Sequence, residues 1–361
     1  MDMRRDKTFS HAAVRGIAAV LPKERLDMES LKTEYGDKEV ENIVKITGIH
    51  ELRTAPLGTT ASDYCADAAS ILFADTSLKP EMVDAVIFVS QSPDYPVPHT
   101  AAILQHRLGL PPSTIATDMV LGCTGYVYGL FTAMALIEAG ACENVLLCAG
   151  DTMHRRVHPQ DKVLRMEIGD AGTATWLSAS ENVSASSYSF FTDGGGADAL
   201  MIAHGGSRRP VSYGGAKRKI KETGFIDERA CKTDTPENLY MDGMRLMRFA
   251  LQEVPPTIDK VLGSIGWSKT DMDLYAFHQS SEPVLKYIAK KLGVTQQQIP
   301  VGVALRGNTG AASIPVMLCD LYAGQSTTLH KSILCGFGAG LAVAAGAMDL
   351  SRAWICRTGE M

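Results

Sequence analysis

The chain has 361 residues, 45% of them hydrophobic and 21% charged, with a formal net charge of −5. That length and composition suit a large buried core, built as two domains or one large α/β unit. The mild acidic balance excludes a bulk nucleic-acid binder, which needs a basic footprint. The longest apolar runs, around 119–137 and 333–348, are broken by Gly and polar residues, so neither supplies the ~20 apolar residues of a membrane span.

The first 22 residues hold several charges and one short apolar run, which reads as a tail leading into a first strand rather than a signal peptide. Residues 84–92 (DAVIFVSQS) read as a short buried strand by length and β-branching. Helical spacing follows over 99–108, a strand over 113–120, an apolar helix over 124–139 ending near Gly140, and a strand over 144–149. This β-α-β alternation predicts a layered α/β fold with a largely buried sheet. The polar, Gly-containing, charge-rich segment 205–237 reads as an exposed excursion, and its basic run 218–221 as a solvated face.

The second half repeats the plan. Residues 273–281 (DLYAFHQSS) match 84–92 in length, leading Asp and polar ending. Gly122-Cys123-Thr124-Gly125 precedes a helix and a strand ending at Cys148, and Gly307-Asn308-Thr309-Gly310 precedes a helix-like stretch and a strand holding Cys335. Three features recurring in one order point to an internal duplication with halves 1–185 and 186–361. Eight cysteines stand at irregular spacing without a CxxC pair, as expected of reduced, mostly buried thiols in a cytoplasmic protein.

A pseudo-dyad between the halves would bring Cys123 and Asn308 together, with His278 at the end of a matched strand. All three would then stand at strand or loop ends, where α/β sheets place their ligands. Cys123 lies between glycines at the start of a helix, where the dipole and unpaired N–H groups favour the thiolate, so its pKa is expected to fall toward neutral. A thiolate can take an acyl group from a thioester by exchange. Taken singly, each residue has a plainer reading: a small core thiol, a satisfied strand-end histidine, and a turn or helix-cap asparagine.

The ordered set of motifs resembles the β-ketoacyl-acyl-carrier-protein synthase III family of the thiolase superfamily, over about residues 12–347. The markers are Thr47-Gly48-Ile49 with Arg53, the Cys123 segment, Gly150-Asp151 followed by Arg155, Gly169-Asp170-Ala171-Gly172, Asp242-Gly243, Phe277-His278-Gln279, Gly307 through Ser313, and Gly336-Phe337-Gly338-Ala339-Gly340. The resemblance implies a thiolase-like fold of two duplicated halves in five layers, αβαβα. It implies an acyltransferase in which Cys123 carries the acyl group and the N–H groups of Cys123 and Ala339 form the oxyanion hole. His278 and Asn308 would stabilise the enolate left when a malonyl thioester loses carbon dioxide. Arg53, Arg155, Gly243, Met247 and Ser281 are the positions it implies for substrate binding. It implies no metal and no resident cofactor, with acyl-CoA or acyl-carrier-protein thioesters as substrates. It also implies a cytoplasmic homodimer, with the strand near 115–121 pairing across a two-fold and residues 95–99 bordering the neighbour's acyl pocket.

Some family positions differ here. Asn42 stands where a Trp often stacks on the CoA adenine, Ser281 where an Asn often follows the catalytic His, and Pro283 where a basic residue is common. These departures favour a carrier-protein donor or a specialised pathway. Arg245 and Arg248, or Lys286, Lys290 and Lys291, are candidate contacts for an acidic carrier. Three rival readings remain. A thiolase proper would use a second cysteine, for which Cys335 is the candidate, but Gly336 occupies that register and Asn308 stands where thiolases have His. The acyl group could pass to an oxygen or nitrogen nucleophile, although that needs no enolate-stabilising pair. A non-catalytic scaffold would not need the intact set of three.

Overall fold

The computed structural model describes residues 8–181, 185–210 and 235–361. Strands β1 (Ala12–Leu21), β2 (Ala85–Val89), β3 (Ile115–Met119), β4 (Asn144–Asp151) and β5 (Ala171–Ala179) form a first sheet in the order β1-β5-β4-β2-β3. Strands β6 (Ser186–Thr192), β7 (Leu274–Phe277), β8 (Ser332–Gly338) and β9 (Ala342–Met348) form a second in the order β6-β9-β8-β7. The pairings correspond. β1/β5 and β5/β4 are antiparallel and β4/β2 parallel; β6/β9 and β9/β8 are antiparallel and β8/β7 parallel. Among the described residues, no strand of the second sheet answers β3.

Five helices position the site: α1 (Ala61–Asp75), α2 (Thr100–Arg107), α3 (Gly125–Glu138), α4 (Gly243–Ile265) and α5 (Glu282–Leu292), with α6 (Ser313–Tyr322) as the partner of α3 in the second half. α3 and α6 are apolar around much of their circumference, the pattern of a helix covered on several sides. Their residues share one core with Ile87, Val89 and Leu147 of the first sheet and Leu274, Leu334 and Ala344 of the second. α1 and α2 cover the outer face of the first sheet through Tyr64, Leu72 and Leu104. α4 and α5 cover the outer face of the second through Val254, Ile258 and Ile288. The layers therefore run helix, sheet, helix, sheet, helix, the five-layered thiolase arrangement. β2, β4, β8 and β9 are covered on both faces, which is why they read as near-continuous apolar runs instead of alternating ones.

Divided at 185/186, the halves exchange short terminal strands. Thr8–Phe9 pairs with β6 of the second sheet, and Trp354–Ile355 and Gly359–Glu360 pair with β1 of the first. Residues 211–234 of the expected excursion, with the basic run 218–221, lie outside the described residues. Its flanks do fold: Leu200–Ile202 and Leu239–Met241 pair antiparallel as a small ribbon. No described helix is long and apolar enough to cross a membrane.

Candidate active site

Cys123 sits in the turn before α3, where β8 passes close by. β8 can do so because of two glycines. A Cβ on Gly336 would fall 2.3 Å from the Cys123 carbonyl oxygen, and one on Gly338 would fall 2.9 Å from both Cβ and Sγ of Cys123. Side chains alternate across a strand, so the two glycines face the nucleophile turn while Cys335 and Phe337 point the other way, into the core against α4 and α5. Cys335 is fully buried there, and burial pushes its thiol up. The register thus removes the second cysteine that a thiolase reading would need.

The backbone N–H groups of Cys123 and Ala339 both reach the Cys123 sulfur and pull its pKa down. Burial and the nearby Asp151 carboxylate oppose them and prevail, so the thiol is pushed up to about 12. The expected thiolate is therefore corrected: the helix start does favour it, but losing contact with water outweighs a few amide dipoles.

His278 directly follows β7, with only 1% of its surface exposed. Its N–H donates to the Cys335 carbonyl at 2.8 Å, continuing the β7/β8 ladder. The side chain of Gln279 locks the strand end: Nε2 donates to the Phe277 carbonyl at 2.8 Å, and Oε1 accepts from Gly302 N–H at 2.7 Å. Nδ1 of His278 lies 2.7 Å from Ser313 Oγ, at the start of α6, and the ring packs edge-on against Phe337. Burial lowers the imidazole pKa to about 4, against a smaller upward pull from the Gly310 carbonyl, so the ring is neutral.

Asn308 opens the matching turn before α6. Its N–H donates to the Glu167 carbonyl at 2.8 Å and its own carbonyl accepts from Gly169 at 3.0 Å, bridging the turn to the first half. Its Oδ1 accepts from Gly310 N–H at 3.2 Å, and its side chain lies near enough to the Glu167 carboxyl to oppose part of that group's upward shift. Asp151, at the end of β4, holds the same turn. Oδ2 accepts from Ala311 N–H at 3.0 Å, while Oδ1 accepts from Gln91 N–H at 2.7 Å and Ser90 Oγ at 3.0 Å. Burial raises Asp151 to about 6 and Glu167 to about 7.

A cavity of 230 Å³ opens onto Cys123 and Asn308. Its inner end is polar, with Gln91, Asp151 and Gly310; its walls are apolar, with Val120, Met153 and Ile168 joined by Leu200, Ile202, Leu239 and Met241 of the ribbon. His278 stands one hydrogen-bonded layer behind, joined through Gly310 and Ser313 to the Asn308 turn. Sulfur and carboxamide thus share one largely apolar pocket, with the imidazole behind the turn that carries Asn308.

Other expected site residues lie elsewhere. Arg53 is 1% exposed; it donates to the Pro22 carbonyl at 2.8 Å and pairs with Glu360 at 2.7 Å. It pins the C-terminal strand and does not face the cavity, because the marker fixed its place in the chain and not the direction of its side chain. Arg155 is turned to the Pro56 and Thr59 carbonyls, holding the loop before α1. Gly243 and Met247 lie in the first turns of α4, and Ser281 precedes α5; none lines the cavity. Arg245 pairs with the buried Asp198 at 2.7 Å, which leaves Arg248 as the exposed member of that cluster. Lys286 pairs with Glu282, while Lys290 and Lys291 are exposed. The sequence reading missed Ser313, Glu167 and the ribbon. Ser313 was within reach, as the last residue of the Gly307–Ser313 motif.

A duplicated five-layer fold with a cysteine between amide donors, an asparagine in the same cavity and a neutral histidine behind that turn, defines an acyl-transferring condensing enzyme of the thiolase type. The chain belongs to the 3-oxoacyl-[acyl-carrier-protein] synthase III family. Models of that family match residues 117–194 and, for its C-terminal part, residues 262–350. A β-ketoacyl-[acyl-carrier-protein] synthase III of Streptomyces coelicolor is 31% identical over 342 residues, covering 93% of this chain and 96% of that protein. The Caldanaerobacter subterraneus enzyme of the same name is 28% identical, covering 94% and 98%. Among solved structures, a 3-oxoacyl-(acyl-carrier protein) synthase from Burkholderia xenovorans superposes with a TM-score of 0.90 at 32% identity, covering 99% of each chain.

Proposed function

We propose that the protein catalyses a decarboxylative Claisen condensation between an acyl group held on Cys123 and a malonyl thioester, yielding a β-ketoacyl thioester. The cavity shared by Cys123 and Asn308, with His278 directly behind the Asn308 turn, supports this most directly. In the first half-reaction Cys123 Sγ attacks the carbonyl of an acyl thioester. The Cys123 and Ala339 N–H groups take the oxyanion, and the displaced thiolate leaves with the proton that the sulfur gives up. Because the resting thiol is held protonated, loading is coupled to this proton transfer and does not draw on a standing thiolate.

In the second half-reaction the malonyl carboxylate departs as carbon dioxide and its electron pair becomes an enolate. Donors fixed beforehand are worth most where that charge appears, typically about a hundred- to a thousandfold each. In this reading Ser313 Oγ, 2.7 Å from His278 Nδ1, donates to it, and the ring proton on Nε2 turns from the Gly310 carbonyl to the thioester carbonyl, beside an Asn308 Nδ2–H. The enolate carbon attacks the acyl carbonyl and Cys123 is released. Related proteins are named for acyl carrier protein, and the exposed Arg248, Lys290 and Lys291 suit an acidic carrier. A homodimer through the edge strand β3 is part of the same reading, supported by the exposure of Ile115 and Val120; the setting is cytoplasmic. Incubation with an acyl donor and malonyl-carrier protein is expected to release one carbon dioxide per β-ketoacyl product. Acyl transfer to an added alcohol or amine without carbon dioxide release would contradict the proposal.

A further inference from the structure

We propose that an open groove on the outer face of the first sheet, between Arg15, Arg352 and Trp354, is a binding site for an aromatic monophosphate of the size of a nucleotide. The groove shares no residue with the cavity at Cys123, and the inference does not depend on the condensing reading.

The groove is built on an irregularity in β1. The register with β5 shifts between Val14 and Gly16, so Arg15 is an extra residue in the strand, a β-bulge. Bulges re-aim side chains. Val14 and Ile17, on either side, both join the core against α3, which turns Arg15 and Gly16 together to the outer face. There Gly16 makes room for α1: a Cβ on it would fall 2.9 Å from Leu72 Cδ2. The same glycine pairs with Trp176 on one side and with Trp354 on the other, so two of the chain's three tryptophans flank it. Trp176 is fixed by donating from Nε1 to Asn144 Oδ1 at 2.9 Å, whereas Trp354 is 52% exposed. Trp354 lies in the strand at one edge of the sheet and β3 at the other, so pairing of two copies through β3 would leave the groove open.

Charge gives the groove, of 440 Å³, its selectivity. Arg15 Nε donates to Ser178 Oγ at 3.0 Å and Nη2 to Ser180 Oγ at 2.7 Å. Two neutral hydroxyls thus aim the guanidinium and leave the rest of its five donors unused. Arg352 lines the same groove, and among the described residues neither arginine forms an ion pair. Burial, and then the Arg352 charge, pull the Arg15 guanidinium down, as befits two like charges without a counterion. Phosphate is the anion that forked guanidinium donors hold best. The exposed indole of Trp354 offers a face on which a flat ring can stack. Asp75, at the α1 end of the groove, would accept from an amino group on that ring. An aminopurine mononucleotide carries all three features.

Equilibrium dialysis of the full-length protein with labelled AMP tests the site. Saturable binding of one AMP per chain is expected, with a dissociation constant below roughly 1 mM. Adenosine and inorganic phosphate are each expected to bind at least about tenfold more weakly, because each lacks one of the two groups the groove recognises. Arg352→Ala and Trp354→Ala are each expected to weaken AMP about tenfold or more. Both side chains are exposed and remote from Cys123, so acyl loading should stay within about twofold of wild type, which shows the fold intact. Absence of saturable binding, inorganic phosphate binding as tightly as AMP, or AMP binding that survives both substitutions would each overturn the assignment.

Discussion

The turns Gly122–Gly125 and Gly307–Gly310 occupy corresponding places before α3 and α6, yet they are finished in opposite ways. The first is stripped. Cys123 is approached by two glycines and a pair of backbone amides, and among the described residues no side-chain hydrogen bond holds its sulfur. The second is wired. Asn308 is bound through its backbone to Glu167 and Gly169 and through Oδ1 to Gly310, and its turn by Asp151. A nucleophile has to leave room for a tetrahedral centre and must not be quenched by donors that stabilise its resting form. A neutral donor has to be kept from rotating. The duplication supplied one scaffold twice, and the difference in surroundings made one copy a reactant and the other a template.

The comparison can be broken at its stripped end first. Cys123→Ala is expected to abolish loading and condensation together, by more than about a thousandfold, because no other group here carries the acyl chain. Steady-state product formation checks this. At the wired end, Asn308→Ala is expected to lower condensation about a hundred- to a thousandfold while leaving loading nearly intact. Equal losses in both half-reactions would mean the two turns do not divide the chemistry.

A smaller change probes the approach of β8. Gly338→Ala sets a methyl group 2.9 Å from Cys123 Sγ on a backbone with φ of 155°. It is expected to destabilise the fold by about 1–3 kcal/mol and to impair loading before it impairs decarboxylation. Thermal unfolding and loading assays separate these effects.

The smallest expected effect concerns the wiring and depends on pH. The Glu167 carboxyl is raised from 4.5 to about 7 on folding. Folding therefore takes up a proton between those values, and the wild type loses stability as pH rises through that window. Glu167→Gln has no such proton to take up. Relative to wild type it should gain on the order of 2 kcal/mol between about pH 4 and pH 8, with the difference flat above. Denaturant unfolding at several pH values checks the sign.

Much of this was legible in the sequence, for identifiable reasons. β2, β4 and α3 announce themselves as apolar runs of the right length, and the turn pair is visible because glycines flank both copies. Cys123, His278 and Asn308 follow from that pairing plus the family pattern. What was not legible depends on side-chain direction and burial. Arg53 carries a family marker but turns inward to Glu360. The Cys123 thiol was expected to ionise because a helix start is readable and a dry pocket is not. Glu167 is a single acid in a mixed run, with nothing local to show that it meets Asn308. The ribbon that walls the cavity joins strands separated by 36 residues of chain, from Ile202 to Leu239, so no window of sequence contains it.

The most direct test follows a labelled acyl group. After incubation with an acyl-carrier-protein or acyl-CoA donor, digestion and mass spectrometry should place the acyl group on the peptide bearing Cys123, and a malonyl thioester should then discharge it as a β-ketoacyl product. Label on a different residue, or an acyl-Cys123 that a malonyl thioester leaves untouched, would contradict the account.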